Sequence, residues 1–161
     1  MKVRGYSLSM PQSYTIRSAT AGDEATIKAL IRGERLDPFN VYWQNFLVAE
    51  DAAASRIIGI GQVKPYRSGR ELGSLVVVAD RRENGVGGDI IQALIARESG
   101  PLVLFCLAFR ESYYAKYGFR RCGLGDLPGE FKVKYALGTI FTRLARYRLI
   151  AMKRPISLHD A

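Results

Sequence analysis

The run Leu75-Val76-Val77-Val78-Ala79-Asp80-Arg81-Arg82-Glu83-Asn84-Gly85-Val86-Gly87-Gly88 passes from an apolar strand-like stretch through a glycine-rich turn into an apolar helical segment. Such a turn aligns main-chain N–H groups at a helix N-terminus, where the helix dipole favours an anion, above all a phosphate. Spacing separates three kinds of phosphate loop. A nucleoside-triphosphate loop needs Lys-Ser/Thr after its last glycine, whereas Asp89 and Ile90 follow Gly88. A dinucleotide loop needs G-x-G-x-x-G; Gly85 and Gly87 fit its first two positions, but Ile90 stands at the third. The third pattern, R-x-x-G-x-G, is met by Arg82, Gly85 and Gly87. The same residues also suit a plain strand-to-helix turn that binds nothing.

The elements around this loop follow from periodicity. Tyr14-Thr15-Ile16-Arg17 alternates as a first strand. Thr20 and Asp23 have capping-box spacing, and Ile27, Leu30 and Ile31 mark the helical face that follows, with Gly33 as its stop. Asp37-Pro38 opens a short helix or turn with Tyr42 and Trp43. Three strands then meander into the loop: Phe46 to Ala49, Ile57 to Val63, and Glu71 to Val78. Ile90, Ile91, Leu94 and Ile95 predict a long helix ending at Ser99-Gly100-Pro101. A buried strand over Leu102 to Leu107, a short helix over Arg110 to Tyr117, and Gly118-Phe119 come next. Val133, Leu137, Ile140, Phe141 and Leu144 keep helical spacing, and Leu149 to Met152 reads as a last strand.

Element order, the Arg82/Gly85/Gly87 loop, the strand Glu71-Leu72-Gly73-Ser74-Leu75-Val76-Val77 and the segment Tyr113-Tyr114-Ala115-Lys116-Tyr117-Gly118-Phe119 together resemble the GNAT superfamily of acyl-CoA N-acyltransferases from about Tyr14 to Met152. The resemblance implies an α/β (α+β) fold with a mixed, mostly antiparallel central sheet, helices on both faces and a single domain. It places a leader at 1–13, the N-acetyltransferase domain at 14–154 and a tail at 155–161. It implies acetyl transfer from acetyl-CoA, with no metal, to an amine on a small molecule, a peptide N-terminus or a lysine. Arg82, Glu83, Asn84, Gly85, Val86, Gly87 and Gly88 would wrap the coenzyme diphosphate. Leu75, Val76 and Val77 would run beside its pantetheine arm, with an amide near Val77 polarising the thioester.

Tyr114 stands in the position of the family's acid that protonates the departing thiolate; as an alternative its ring belongs to the core. Glu71 is the candidate base, acting through water, or else a charged residue opening an edge strand beside Arg70. No Ser-His or Cys-His pair is available, since His159, the one histidine, lies in the expected tail. Many relatives carry an Asn after the strand that follows the loop, where Leu107, Ala108 and Phe109 stand here. Arg110 stands where a small residue is common, and either reaches a phosphate or simply opens a helix. The acceptor site would draw on Phe39, Tyr42, Trp43, Tyr66 and the helix starting near Gly129.

Composition narrows the remaining classes. The chain has 161 residues, enough to bury a core without disulfides or metals, and a formal net charge of +9. Its cations are spread along the sequence, and no interleaved basic-aromatic motif is present, which argues against nucleic acid. A non-catalytic CoA- or nucleic-acid-binding module on the same fold is the competing reading. Met1 to Ser13 lacks an apolar signal segment, and no apolar run reaches membrane-spanning length. Cys106 sits in an apolar run, as a buried reduced thiol would, consistent with a cytoplasmic setting. A homodimer is compatible with all of this.

Overall fold

The computed structural model describes residues 13–155. His159 and nearly all of the expected leader and tail lie outside them. Seven strands form one sheet in the order β1-β2-β3-β4-β5-β7-β6. They are β1 (Tyr14–Ser18), β2 (Phe46–Asp51), β3 (Arg56–Tyr66), β4 (Gly69–Val77), β5 (Leu102–Leu107), β6 (Arg120–Cys122) and β7 (Leu149–Arg154). Neighbours are antiparallel except β4 and β5, which run parallel. Four helices pack on the sheet: α1 (Glu24–Gly33), α2 (Val86–Arg97), α3 (Glu111–Ala115) and α4 (Gly129–Leu144).

The start of α1 is set by its cap. Asp23 accepts bonds from the Thr20 amide (2.7 Å) and hydroxyl (3.0 Å), completing the expected box through a 3-10 turn. Arg17 on β1 adds an ion pair at 2.8 Å, and the same guanidinium reaches Glu50 at 2.6 Å. The Arg17 bond, more than the Thr20 bonds, holds the Asp23 carboxyl well below the usual carboxylate range. A depressed acid contributes stability above its unfolded pKa and loses it as pH falls through the folded value. Asp23→Asn should therefore cost about 1 kcal/mol in urea melts at pH 7, and the gap to the parent should narrow steadily as pH falls below about 4.

One face of the sheet carries α2 and α3. Gly59 and Gly61 of β3 let α2 lie close: a Cβ at Gly59 would come 2.9 Å from Ile90, and one at Gly61 2.8 Å from the same side chain. Val86, Ile90, Ile91 and Leu94 thereby bury against Ile58, Leu72, Leu104, Cys106 and Met152. The buried Cys106 thiol sits 3.8 Å from the Met152 sulfur, and burial pushes its pKa up to about 11.

The other face is divided. Ile27 and Ile31 of α1 cover Phe46, Val48, Ile60 and Val76. Phe131 of α4 covers Val103 and Ala151. The buried polar side chains of Gln62, Lys64 and Glu71 lie on β3 and β4 between these two apolar patches.

Two features depart from the periodicity. The short strand β6 pairs with β7 at Arg120↔Lys153, Arg121↔Met152 and Cys122↔Ala151, so α4 lies in the connection between two antiparallel neighbours. The α4 residues with helical spacing face outward: Val133, Leu137, Ile140, Phe141 and Leu144 are all exposed, while Phe131 is buried and Tyr135 packs inward. Gly138 takes α4 onto β7, where a Cβ would meet Leu149 at 2.8 Å. None of the helices in the described residues is long and apolar enough to cross a membrane.

Candidate active site

β4 and β5 pair only at Arg70↔Leu102 and Glu71↔Val103. Beyond Glu71 the edge of β4 that faces β5 has no paired strand among the described residues, while its other edge stays on β3 as far as Val77. Extended main chain with free N–H and C=O groups is a template for an extended polar ligand. Opposite Gly61 the register slips, and Ser74 takes a left-handed φ of 53°. That is a bulge, which re-aims the peptide groups after it. Gln62 Nε2 donates to Ser74 Oγ at 2.8 Å and braces it.

Past Val77 the chain is pinned on three sides. Arg56 pairs with Asp80, and Arg81 pairs with the buried Asp51. Arg82 Nε donates to the Val77 carbonyl at 3.0 Å, and its Nη2 reaches Glu34 at the end of α1 at 2.7 Å. Glu83 and Gly85 then adopt positive φ of 67° and 84°. Gly85 caps α2, and its carbonyl receives the Asp89 amide at 3.0 Å. The amides of Val86, Gly87 and Gly88 therefore open the helix with no acceptor inside it. Asp89 itself is turned aside, accepting the Tyr14 hydroxyl at 2.6 Å.

The loop glycines meet α3. A Cβ on Gly87 would stand 2.8 Å from the Tyr113 hydroxyl, and one on Gly88 would overlap that of Tyr117. At Gly85 the space is open, and its positive φ is what calls for glycine. Tyr113 packs edge-on to both Tyr117 (5.7 Å) and Tyr114 (5.2 Å), and Tyr114 edge-on to Phe119 (6.3 Å). Burial pushes Tyr113 up to about 12, helped by Tyr117. Burial, with the Cys106 thiol and Tyr113 adding, lifts Tyr114 further above the phenol range. Arg110 lies over the exposed Phe109 ring at 5.4 Å.

Glu71 is neither exposed nor at an edge, and Arg70 pairs with Glu98 instead. Both Glu71 oxygens accept from Lys134 Nζ, at 2.7 and 2.9 Å. The same ammonium reaches Asp37 at 2.8 Å and the Tyr66 hydroxyl at 3.1 Å. Lys64, fully buried, donates to the Phe39 carbonyl at 2.8 Å and to Asp37 at 3.2 Å. Burial alone would lower Lys134, but Glu71, Asp37 and Tyr66 outweigh it and hold the ammonium above its ordinary value. Asp37 is held below its own value, because bonds from Lys134 and the Phe39 amide and the charge of Lys64 outweigh its burial. For Lys64 burial wins, with the Lys134 charge adding, and its pKa falls despite Asp37.

Of the aromatics expected at the acceptor site, Tyr66 joins this cluster. Trp43 packs beneath α1, while Phe39 and Tyr42 are exposed on the segment after it. Lys64, Lys134, Asp37 and Ser74 were not foreseen. Only Ser74 had a local signal, a Gly-Ser pair inside a strand.

The sequence profile described as "Acetyltransferase (GNAT) domain" matches residues 42–121, which run from the approach to β2 through the loop and α2 into β6. Over that stretch the chain matches the GNAT family. Its fold is that of solved family structures. One is N-acetylglutamate synthase from Neisseria gonorrhoeae, solved with coenzyme A and N-acetyl-glutamate; it is 19% identical with a TM-score of 0.71, over 89% of this chain and 35% of that one. A Mycobacterium tuberculosis protein solved in complex with CoA is 15% identical with a TM-score of 0.69, over 89% and 99% of the two chains. A GNAT-family acetyltransferase from Staphylococcus aureus is 14% identical with a TM-score of 0.63, over 89% and 99%. This chain thus spans about a third of the length of the Neisseria enzyme. A search of curated protein sequences finds no match. In this chain the free β4 edge leads into the α2 N-terminus, which fits a coenzyme with an extended amide arm and a diphosphate. No group of three or more His, Cys, Asp or Glu that could hold a metal occurs among the described residues.

Proposed function

We propose that this protein is an acetyl-CoA-dependent N-acetyltransferase acting by direct attack of a primary amine. The observation that carries the reading is the split between β4 and β5, which leaves the β4 edge free up to the anion-favouring start of α2. Amides of Val86, Gly87 and Gly88 receive the diphosphate, assisted by the helix dipole. Arg82 holds the turn in shape through Val77 and Glu34. The freed edge from Leu75 to Val77 bonds the pantetheine amides, and an amide near Val77 polarises the thioester carbonyl. Acetyl-CoA supplies the activated acyl group: a C–N bond forms to the amine, the C–S bond breaks, and the sulfur leaves with the electron pair.

Tyr114 faces the departing sulfur. Because burial lifts its pKa above that of an ordinary phenol, it keeps its proton and stabilises the sulfur by donating a hydrogen bond. Glu71 takes the proton lost by the amine, through water, once its bond to Lys134 is released.

Two measurements test the assignment. Calorimetry should show CoA and acetyl-CoA binding, and a thiol-release assay should show turnover that requires both acetyl-CoA and an amine. Binding without turnover across an amine panel would favour the non-catalytic module, and absence of binding would end the reading.

A further inference from the structure

Lys134 reaches from α4 toward β4 and ends among four oxygens: two of Glu71, one of Asp37 and the Tyr66 hydroxyl. Its ammonium lies 5.6 Å from the Tyr66 ring centroid and 5.9 Å from that of Phe105. The Asp37 side chain is 37% exposed and that of Glu71 7%, so the two carboxylates mark the mouth and the floor of one recess. Buried ion pairs stabilise a fold no better than apolar packing does, so folding alone does not call for this arrangement. A separate observation concerns Gln62, two residues before Lys64 on the same face of β3. It is fully buried, and its Oε1 has no hydrogen-bond partner, leaving an acceptor for an N–H donor.

We propose that this recess is the acceptor's amine subsite, that Lys134 fills it as a tethered surrogate, and that the acceptor is an unbranched primary alkylamine. The proposal rests on the acetyl-transfer reading and adds the substrate class to it. The oxygens now around Lys134 are the ones such an ammonium would meet. The Tyr66 and Phe105 rings lie near the Lys134 ammonium, as they would near an incoming one. An α-amino acid would bring its own carboxylate toward Glu71 and Asp37 and be repelled. A tethered head group competes at high effective concentration, so Lys134 weakens acceptor binding until it swings away. Two sources carry this chemistry, a lysine side chain in a polypeptide and a free alkylamine.

The test uses the full chain. Lys134→Ala removes the surrogate and leaves the oxygens; Lys134→Gln, which keeps length without charge, serves if the alanine variant does not fold. Calorimetry with n-butylamine should give a Kd about tenfold lower for the alanine variant than for the parent, or about threefold lower for the glutamine variant. CoA affinity should stay at the parent's value, and KM for n-butylamine in thiol release should fall with the amine Kd. In the parent, n-butylamine should be used at least about tenfold better than glycine or tert-butylamine. A lysine peptide with a blocked N-terminus that outcompetes n-butylamine assigns the polypeptide source, and the reverse assigns the free amine. Folded variants that bind CoA as the parent does, yet gain nothing for either amine, overturn the proposal. Loss of CoA binding by the parent itself would instead overturn the acetyl-transfer reading, whatever the amines do.

Discussion

Tyr114→Phe should fold and bind acetyl-CoA as the parent does, and turn over about 100-fold more slowly. The ring of Tyr114 is braced edge-on by Tyr113 and Phe119 and lies against the cluster that includes Cys106 and Phe119, contacts that a phenylalanine keeps. Only the hydroxyl is lost. A donor aimed at charge that develops in the reaction is worth far more than one bonded to the ground state, and removing one typically costs a factor of 10² to 10³ in kcat. The raised pKa sharpens the test: ionisation of Tyr114 itself should put no alkaline limb on the rate profile below about pH 10. Thiol release at saturating acetyl-CoA decides the matter. A variant that keeps its kcat within about threefold would confine Tyr114 to packing.

Gly87→Val should weaken CoA binding by on the order of 100-fold. Its Cβ would lie 2.8 Å from the Tyr113 hydroxyl and 3.4 Å from Val77, so the ring has to yield and two methyl groups cover the first turn of α2. Each charge-assisted bond lost to the diphosphate is worth about 1.5–3 kcal/mol, and tenfold in affinity is about 1.4 kcal/mol. Gly85→Ala is the control. Nothing lies within 4 Å of its Cβ, but the φ of 84° makes any side chain strained. It should lower stability by about 1–2 kcal/mol in denaturant melts, with a smaller change in CoA affinity than Gly87→Val. A folded Gly87→Val protein with the parent's Kd would move the diphosphate away from this helix.

Most of the fold could be read from the chain because its signals are local. The Thr20/Asp23 box, the alternation of Tyr14 to Arg17 in β1 and the glycine turn before α2 each act within a few residues, and each appears where expected. β6 was missed because Arg120-Arg121-Cys122 has no apolar alternation; its three residues owe their conformation to β7. The outward turn of Val133, Leu137 and Ile140 has a similar origin. Helical spacing predicts a stripe but not which stripe meets the sheet, and Gly138 against Leu149, together with Phe131 in its pocket, decides that.

The site divides in the same way. The loop could be read because its glycines are consecutive features of one turn. The Glu71 environment could not, because Asp37, the β3 residues Lys64 and Tyr66, and Lys134 of α4 come from three separate segments and meet only in space. In sequence, Lys134 is one more cation in a basic stretch. In the fold it is the main partner of the candidate base.

The position of α4 between β6 and β7 has an evolutionary corollary. Those strands fix each other's register at three positions before and after the helix, so the helix hangs from a closed clasp. Surface connections absorb insertions and exchanges more readily than the strands they join. Lineages could trade this segment for another, with a different side chain in place of Lys134, and leave the diphosphate cradle intact. Selectivity and scaffold would then diversify on separate clocks.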